Sequence, residues 1–366
     1  MANQPNQTGQ RINWIDQIKG LAIFGILLFH FFQNYPERIP LVVTLDQLGA
    51  KVGFAAVDIF FVMAGFNITY VMARKNLLPT IHFDWRSWLI KRLNRLYPTY
   101  LLAVIFSLVL YFLLSYPQKY IFPDFLLSVA GLAGYTFQSI NPGFWFFTVI
   151  LQAYLVTPLI FRISQSKPII LLIVTLFLGV VTKVLCFNTD TSSDLYWYLL
   201  QNDFLGSYIF QFGLGLYWGI IYFYHDGFRK IDYWWTLLVF LLGFIVYIYL
   251  GKSGFDFRYM LGFDMLFTPL FFVALQSMFV WLDKRKRIKP VVWLLSFLSL
   301  LGLYSYQIYL IHQPLFFVAF RQLNKYVSIS TYPKILFLML SIAMLLWGYT
   351  GLFVFCDRQL RKWIKG

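Results

Sequence analysis

The sequence predicts an all-α fold: a polytopic bundle of about ten membrane-spanning helices with both termini in the cytoplasm. Three observations predict it. The 366 residues are 60% hydrophobic and 12% charged, whereas a soluble domain carries roughly 45–50% apolar and about 25% charged residues; mean hydropathy is +0.67. The apolar residues gather in long runs such as 333–356, YPKILFLMLSIAMLLWGYTGLFVF. A run of that kind is near the ~20 residues a helix needs to cross a bilayer, and far longer than the ~10-residue alternating strands of a barrel. Finally, basic residues sit at the ends of the runs, where membrane topology places them.

Hydropathy puts the spans near 18–33, 51–73, 96–115, 144–162, 168–186, 204–224, 233–250, 259–281, 291–318 and 334–356. One further stretch, 124–140 (DFLLSVAGLAGYTFQSI), is short enough to span, to lie in the interface or to re-enter. Charge decides between these. If it does not cross and the N-terminus is cytoplasmic, Arg74, Lys75, Arg86, Lys91, Arg92 and Arg95 all face the cytoplasm. Arg162, Lys167, Arg229, Lys230, the 284–289 run and the tail with Arg358, Arg361, Lys362 and Lys365 then join them. Segment 188–203, on the other face, has acids and no base. The positive-inside bias thus favours ten spans.

We read one domain over 1–366, with 1–14 and 357–366 as cytoplasmic tails and no internal repeat. The first ten residues are polar and uncharged, so no removable signal peptide is expected. Cys186 and Cys356 stand far apart without nearby histidines, so neither a metal site nor a disulfide is expected. The net charge of +15 follows from topology and does not suggest nucleic acid.

Few ionisable residues fall inside the spans, and such residues are costly there unless they serve a purpose. The first span holds Asp16, Lys19 and His30. Lys19 and His30 are eleven positions apart, about three turns, so they share a face and are separated by ~16 Å along the axis. Asp16 lies one turn before Lys19 and can pair with it. His30 reads as a general base for acyl transfer or as an interfacial residue bonded to a neighbour. His312, before Pro314, reads as a second site residue or as the partner of backbone freed by a proline kink. His82 and His225 read as solvated loop residues. Arg92 and Arg95 share a helical face; they could grip phosphates or anchor the span at the headgroups. Asp58 needs a partner inside its span, with Asn67 one of its few polar companions, and Gly53, Ala64 and Gly65 permit close helix approach. Trp145, Gln152 and Tyr154 could line a cavity or simply pack.

Taken together, these residues resemble acyltransferase family 3, the integral-membrane O-acyltransferases that decorate bacterial cell-surface glycans. Residues 15–30 are similar to its first-helix motif, a basic residue and a histidine separated by ten positions. Residues 53–66 resemble its second-helix block, and Arg92-Leu93-Asn94-Arg95 with Tyr97-Pro98 its Arg-x-x-Arg element. Residues 143–158 and 302–314 resemble its Trp…Tyr…Pro and late Ser-Tyr…Tyr-Leu-x-His segments. The sequence departs from the family pattern at Lys19, usually arginine; at Ala64, usually serine; and at Gln152, often an acid. Lysine keeps the charge but loses the planar fork.

The resemblance implies a multi-pass protein of the cytoplasmic (inner) membrane that transfers an acyl group, most simply acetyl, from cytoplasmic acyl-coenzyme A to a hydroxyl of a polysaccharide or glycolipid. It makes His30 the essential histidine and sets Arg92, Arg95 and Lys19 against the donor's phosphates. The expected partners are acyl-coenzyme A, a carbohydrate or glycolipid acceptor and the bilayer, with no metal. Two other classes fit the residues. A glycan or lipid transporter would use the intramembrane His and Asp for proton coupling, though the paired broken helices of inverted repeats are not visible. A non-catalytic family member would retain only binding.

Overall fold

Apolar runs bounded by Pro, Gly and polar residues become helices because a bilayer leaves no water for unpaired backbone groups. The computed structural model describes residues 12–365 apart from 79–82, 118–121, 133–139, 191, 197–203, 250–261, 286–287 and 327–330. Among the described residues there are twelve α-helices and two 3₁₀ turns. The helices are α1 (Asn13–Gln33), α2 (Pro40–Arg74), α3 (Trp85–Leu113), α4 (Phe122–Ala130), α5 (Trp145–Ser164) and α6 (Pro168–Asn188). They continue with α7 (Ile209–His225), α8 (Lys230–Tyr249), α9 (Phe263–Asp283), α10 (Lys289–Leu303), α11 (Ser305–Tyr326) and α12 (Thr331–Lys365); the 3₁₀ turns are Pro142–Phe144 and Leu205–Ser207.

Among the described residues, eight helices are long and apolar enough to cross a membrane: α1, α2, α3, α5 with its preceding turn, α6, α8, α9 and α12. The pair α10–α11 makes a ninth crossing if counted as one. Helix α7 has 17 residues, about 26 Å, slightly less than a ~30 Å hydrocarbon core. The described residues of each of the ten expected segments are largely helical. Helix α4, nine residues long, is too short to cross at ~1.5 Å per residue, and the remainder of that stretch, like His82, lies largely outside the described residues. Carbonyls at and beyond its C-terminal end accept from side chains instead of water: Tyr97 to Val129, Tyr100 to Ser128 and Thr148 to Gly131.

One expectation needs correction. Segment 291–318 is not one helix: α10 and α11 meet at Tyr304 with a 78° bend. Ser305 Oγ donates to the Gly302 carbonyl at 2.9 Å, the kind of Gly/Ser competition that breaks a helical ladder. Pro314, by contrast, lies within α11 without ending it. Proline leaves the Leu310 carbonyl without its helical donor, and Asn141 Nδ2 supplies one at 2.7 Å. Helices α2 and α12 run to 35 residues each, and 357–365 is a helical continuation of α12.

Helix α2 lies along α7 at the centre of the bundle. A Cβ on Gly65 would fall 2.1 Å from the Phe212 carbonyl oxygen, and one on Gly215 would fall 2.0 Å from that of Val62. The two backbones thus touch where glycine removes the side chain, the usual device for packing helices in lipid. Around this centre, apolar residues such as Phe177, Trp234, Leu242, Leu340 and Met344 are exposed, as lipid-facing positions should be.

Candidate active site

Helix α1 supplies both ends of the site. Near its N-terminus Lys19 Nζ stands 3.2 Å from Asp16 Oδ1. Three turns on, His30 is buried, with Nδ1 2.8 Å from Gln33 Oε1. An amide oxygen only accepts, so Nδ1 carries the proton and Nε2 the lone pair. Gln313 Nε2 is 3.0 Å from His30 Nε2 and 3.2 Å from Nδ1. A group nearly equidistant from both nitrogens sits over the ring, because in the plane it would press onto Cε1. The in-plane lone pair of Nε2 is therefore left for another donor.

His30 opens onto a cavity of about 200 Å³ lined also by Gln33, Phe54, Trp145, Tyr208 and Tyr309. Trp145 stacks on Tyr208 with centroids 5.6 Å apart. A second cavity, about 370 Å³, is lined by Lys19, Asn67, Arg95, Tyr154, Tyr306, Tyr309 and Arg361, among others. Tyr309 belongs to both walls, so the two spaces adjoin: one polar and cationic, the other holding an imidazole. A larger recess of about 600 Å³ between α6, α7, α8 and α9 is almost wholly apolar apart from Lys183 and Asn188. It lacks the groups that acyl transfer needs, so size does not identify the site here.

Of the residues singled out in the sequence, Lys19, Asn67, Arg95 and Tyr154 meet in the cationic cavity, and His30 and Trp145 in the other. The other candidate site residues stand elsewhere. Arg92 lies over the Trp88 ring, 5.4 Å from its centroid. Gln152 Oε1 accepts from the Leu205 backbone N–H at 2.8 Å and so pins the second 3₁₀ turn. Asp58 joins a separate buried network: Gln211 Nε2 donates to Asp58 at 3.2 Å and to Asp264 at 2.6 Å, Thr268 donates to Asp58 at 3.2 Å, and Lys183 lies 3.5 Å from Asp264. His312 is fully buried behind His30, with ring centroids 5.1 Å apart. Its Nδ1 is 2.7 Å from the Tyr309 carbonyl oxygen and must donate to it, which puts the lone pair on Nε2.

The family model for the acyltransferase domain of family 3 matches residues 12–348. The chain belongs to this family. With its apolar helices, this makes it an integral-membrane acyltransferase. No curated protein and no solved structure matches it. The matched segment contains both halves of α1, the Arg95 helix and the Tyr309 wall, so both cavities are built almost entirely from the family's domain.

Sequence reasoning missed Gln33, Gln313, Tyr309 and Arg361. A signal existed for three of them: Gln33 follows His30 by one helical turn, Gln313 adjoins His312, and Tyr309 is the second tyrosine of the Ser-Tyr…Tyr-Leu-x-His segment. Arg361 is an ordinary member of a basic tail, and nothing local distinguishes it.

Proposed function

We propose that this acyltransferase takes its acyl group, most simply acetyl, from acyl-coenzyme A on the cytoplasmic side of the inner membrane. The acceptor is a hydroxyl of a cell-surface polysaccharide or glycolipid. The observation that carries this reading is the meeting of the two cavities at Tyr309. A phosphate-bearing donor suits the space with Lys19 and Arg95, since guanidinium and ammonium groups hold phosphate well. Its thioester arm runs up α1 toward His30.

In this reading the acceptor hydroxyl donates to His30 Nε2. As the hydroxyl oxygen bonds to the thioester carbonyl carbon, its proton passes to Nε2, and Gln33 holds the opposite edge of the ring through Nδ1–H. The tetrahedral intermediate collapses with loss of the C–S bond. The thiolate leaves, and the proton on His30 returns to it, giving free coenzyme A and an ester. Asp16 orients Lys19, and Asn67 and Tyr154 offer polar groups to the pantetheine arm.

The test is release of free thiol from acetyl-coenzyme A by purified protein with a glycan extract, comparing wild type with His30→Ala. Turnover in the wild type that disappears in a folded His30→Ala protein supports the reading. Unchanged turnover would remove His30 from the chemistry. No thiol release by the wild type across several acyl donors would point to transport or binding.

A further inference from the structure

Arg361 lies 13 positions beyond residue 348, where the family match ends, yet its side chain lines the cavity of Lys19 and Arg95. Helix α12 brings it there by continuing past the apolar run to Lys365. One edge of its guanidinium is fully engaged. Nε donates to Asp357 Oδ1 at 3.1 Å, and Nη2 donates to the Arg95 carbonyl oxygen at 2.7 Å and to Thr99 Oγ1. Thr99 in turn donates to Asp357 Oδ1 at 2.6 Å. Asp357 and Thr99 are buried, whereas the Arg361 side chain is 31% exposed. No described residue engages Nη1.

We propose that Arg361 is a binding residue for the phosphate-bearing portion of the thioester donor, with Asp357 and Thr99 as its positioning residues. The proposal rests on the donor reading given above and extends it to a helix beyond the matched domain. A guanidinium fixed along one edge has already lost its rotamer freedom on folding, so a ligand meeting the other edge incurs little further entropic cost. Charge points the same way. Lys19, Arg95 and Arg361 bring three cations to the cavity, while Asp16 and Asp357 answer two of them. The excess positive charge in a partly enclosed space favours a polyanion. A cation serving only to staple α12 to α3 would have no need of an edge at the cavity wall.

The experiment is equilibrium binding by the purified full chain, read by calorimetry, of coenzyme A, dephospho-coenzyme A and pantetheine. Wild type is compared with Arg361→Gln and Arg361→Lys, with melting temperature as the folding control. Loss of a charge-assisted hydrogen bond predicts a roughly 10- to 100-fold weaker Kd for coenzyme A in Arg361→Gln. Pantetheine binding should be unchanged, and Arg361→Lys should recover part of the loss. Equal affinity of the glutamine variant and wild type for coenzyme A would overturn the proposal. So would equal weakening of coenzyme A and pantetheine, which would mark a structural staple, or a wild type that does not bind coenzyme A. Because binding is read without turnover, a wild type that binds through Arg361 yet transfers nothing would sink the transfer chemistry and leave the phosphate site standing.

Discussion

His30 and His312 stand with ring centroids 5.1 Å apart, each fixed in the tautomer that leaves Nε2 as the acceptor, one by Gln33 Oε1 and the other by the Tyr309 carbonyl. Only His30 lines a cavity. In the proposed reaction the pair divides into an imidazole that meets substrate and one that supports it.

The expected outcome of His30→Ala is a fall in kcat of about 10²- to 10⁴-fold, the usual contribution of a positioned base, with little change in donor Kd. His312→Ala should reduce kcat less. Thiol-release kinetics on both variants check this, with melting curves to establish folding. A larger loss from His312→Ala in a folded protein would reverse the assignment.

Gly302 packs on the first span so closely that a Cβ would lie 1.7 Å from the Asp16 carbonyl oxygen. That oxygen belongs to backbone and cannot turn away. Gly302→Ala should force α10 off α1 and lower stability by about 1–3 kcal/mol, in the range of overpacking. It should also disturb Lys19, one turn from Asp16. Thermal unfolding in detergent is the measurement; an unchanged melting temperature would mean that the helices separate without cost.

Asn141 supplies the donor that Pro314 removes from Leu310. Asn141→Ala should cost about 1–3 kcal/mol, the penalty for an orphaned buried carbonyl. In a Pro314→Ala background the restored N–H can serve Leu310 itself, so the same substitution should cost much less. A double-mutant cycle in melting temperature reads the coupling; simple additivity would show that the amide and the proline act independently.

Lys183 is the cation within reach of Asp264 in the buried network that holds Asp58. Lys183→Met should destabilise by about 3–5 kcal/mol because it leaves buried carboxylates without a counter-charge. Adding Asp264→Asn should restore much of that. Since these side chains line neither cavity of the site, donor affinity should be the same in the double variant. A destabilised Lys183→Met that Asp264→Asn fails to rescue would show that the pair is not the cause.

Much of this protein is legible along the chain because the determining interactions are local or with solvent. Run length against bilayer thickness locates the helical segments, eight or nine of which among the described residues can cross, and the eleven-residue spacing puts Lys19 and His30 on one face of α1, since both depend only on helical geometry. The order of five short motifs suffices for the family. The remainder depended on partners distant in sequence. The sequence shows that Asp58 needs a partner, but only the fold brings it Gln211 and Thr268, 153 and 210 positions away. Arg92 and Arg95 share a helical face, and Arg92 covers Trp88 one turn back on the same helix, but only the neighbouring helices build the cavity that Arg95 lines. The bend at Tyr304, the shared wall at Tyr309 and the arrival of Arg361 beside Arg95 arise from packing, which selects among helices that are individually alike. Hydropathy reports that each segment lies in the bilayer; which face it turns to which neighbour is settled by close contacts, and those exist only in the assembled bundle.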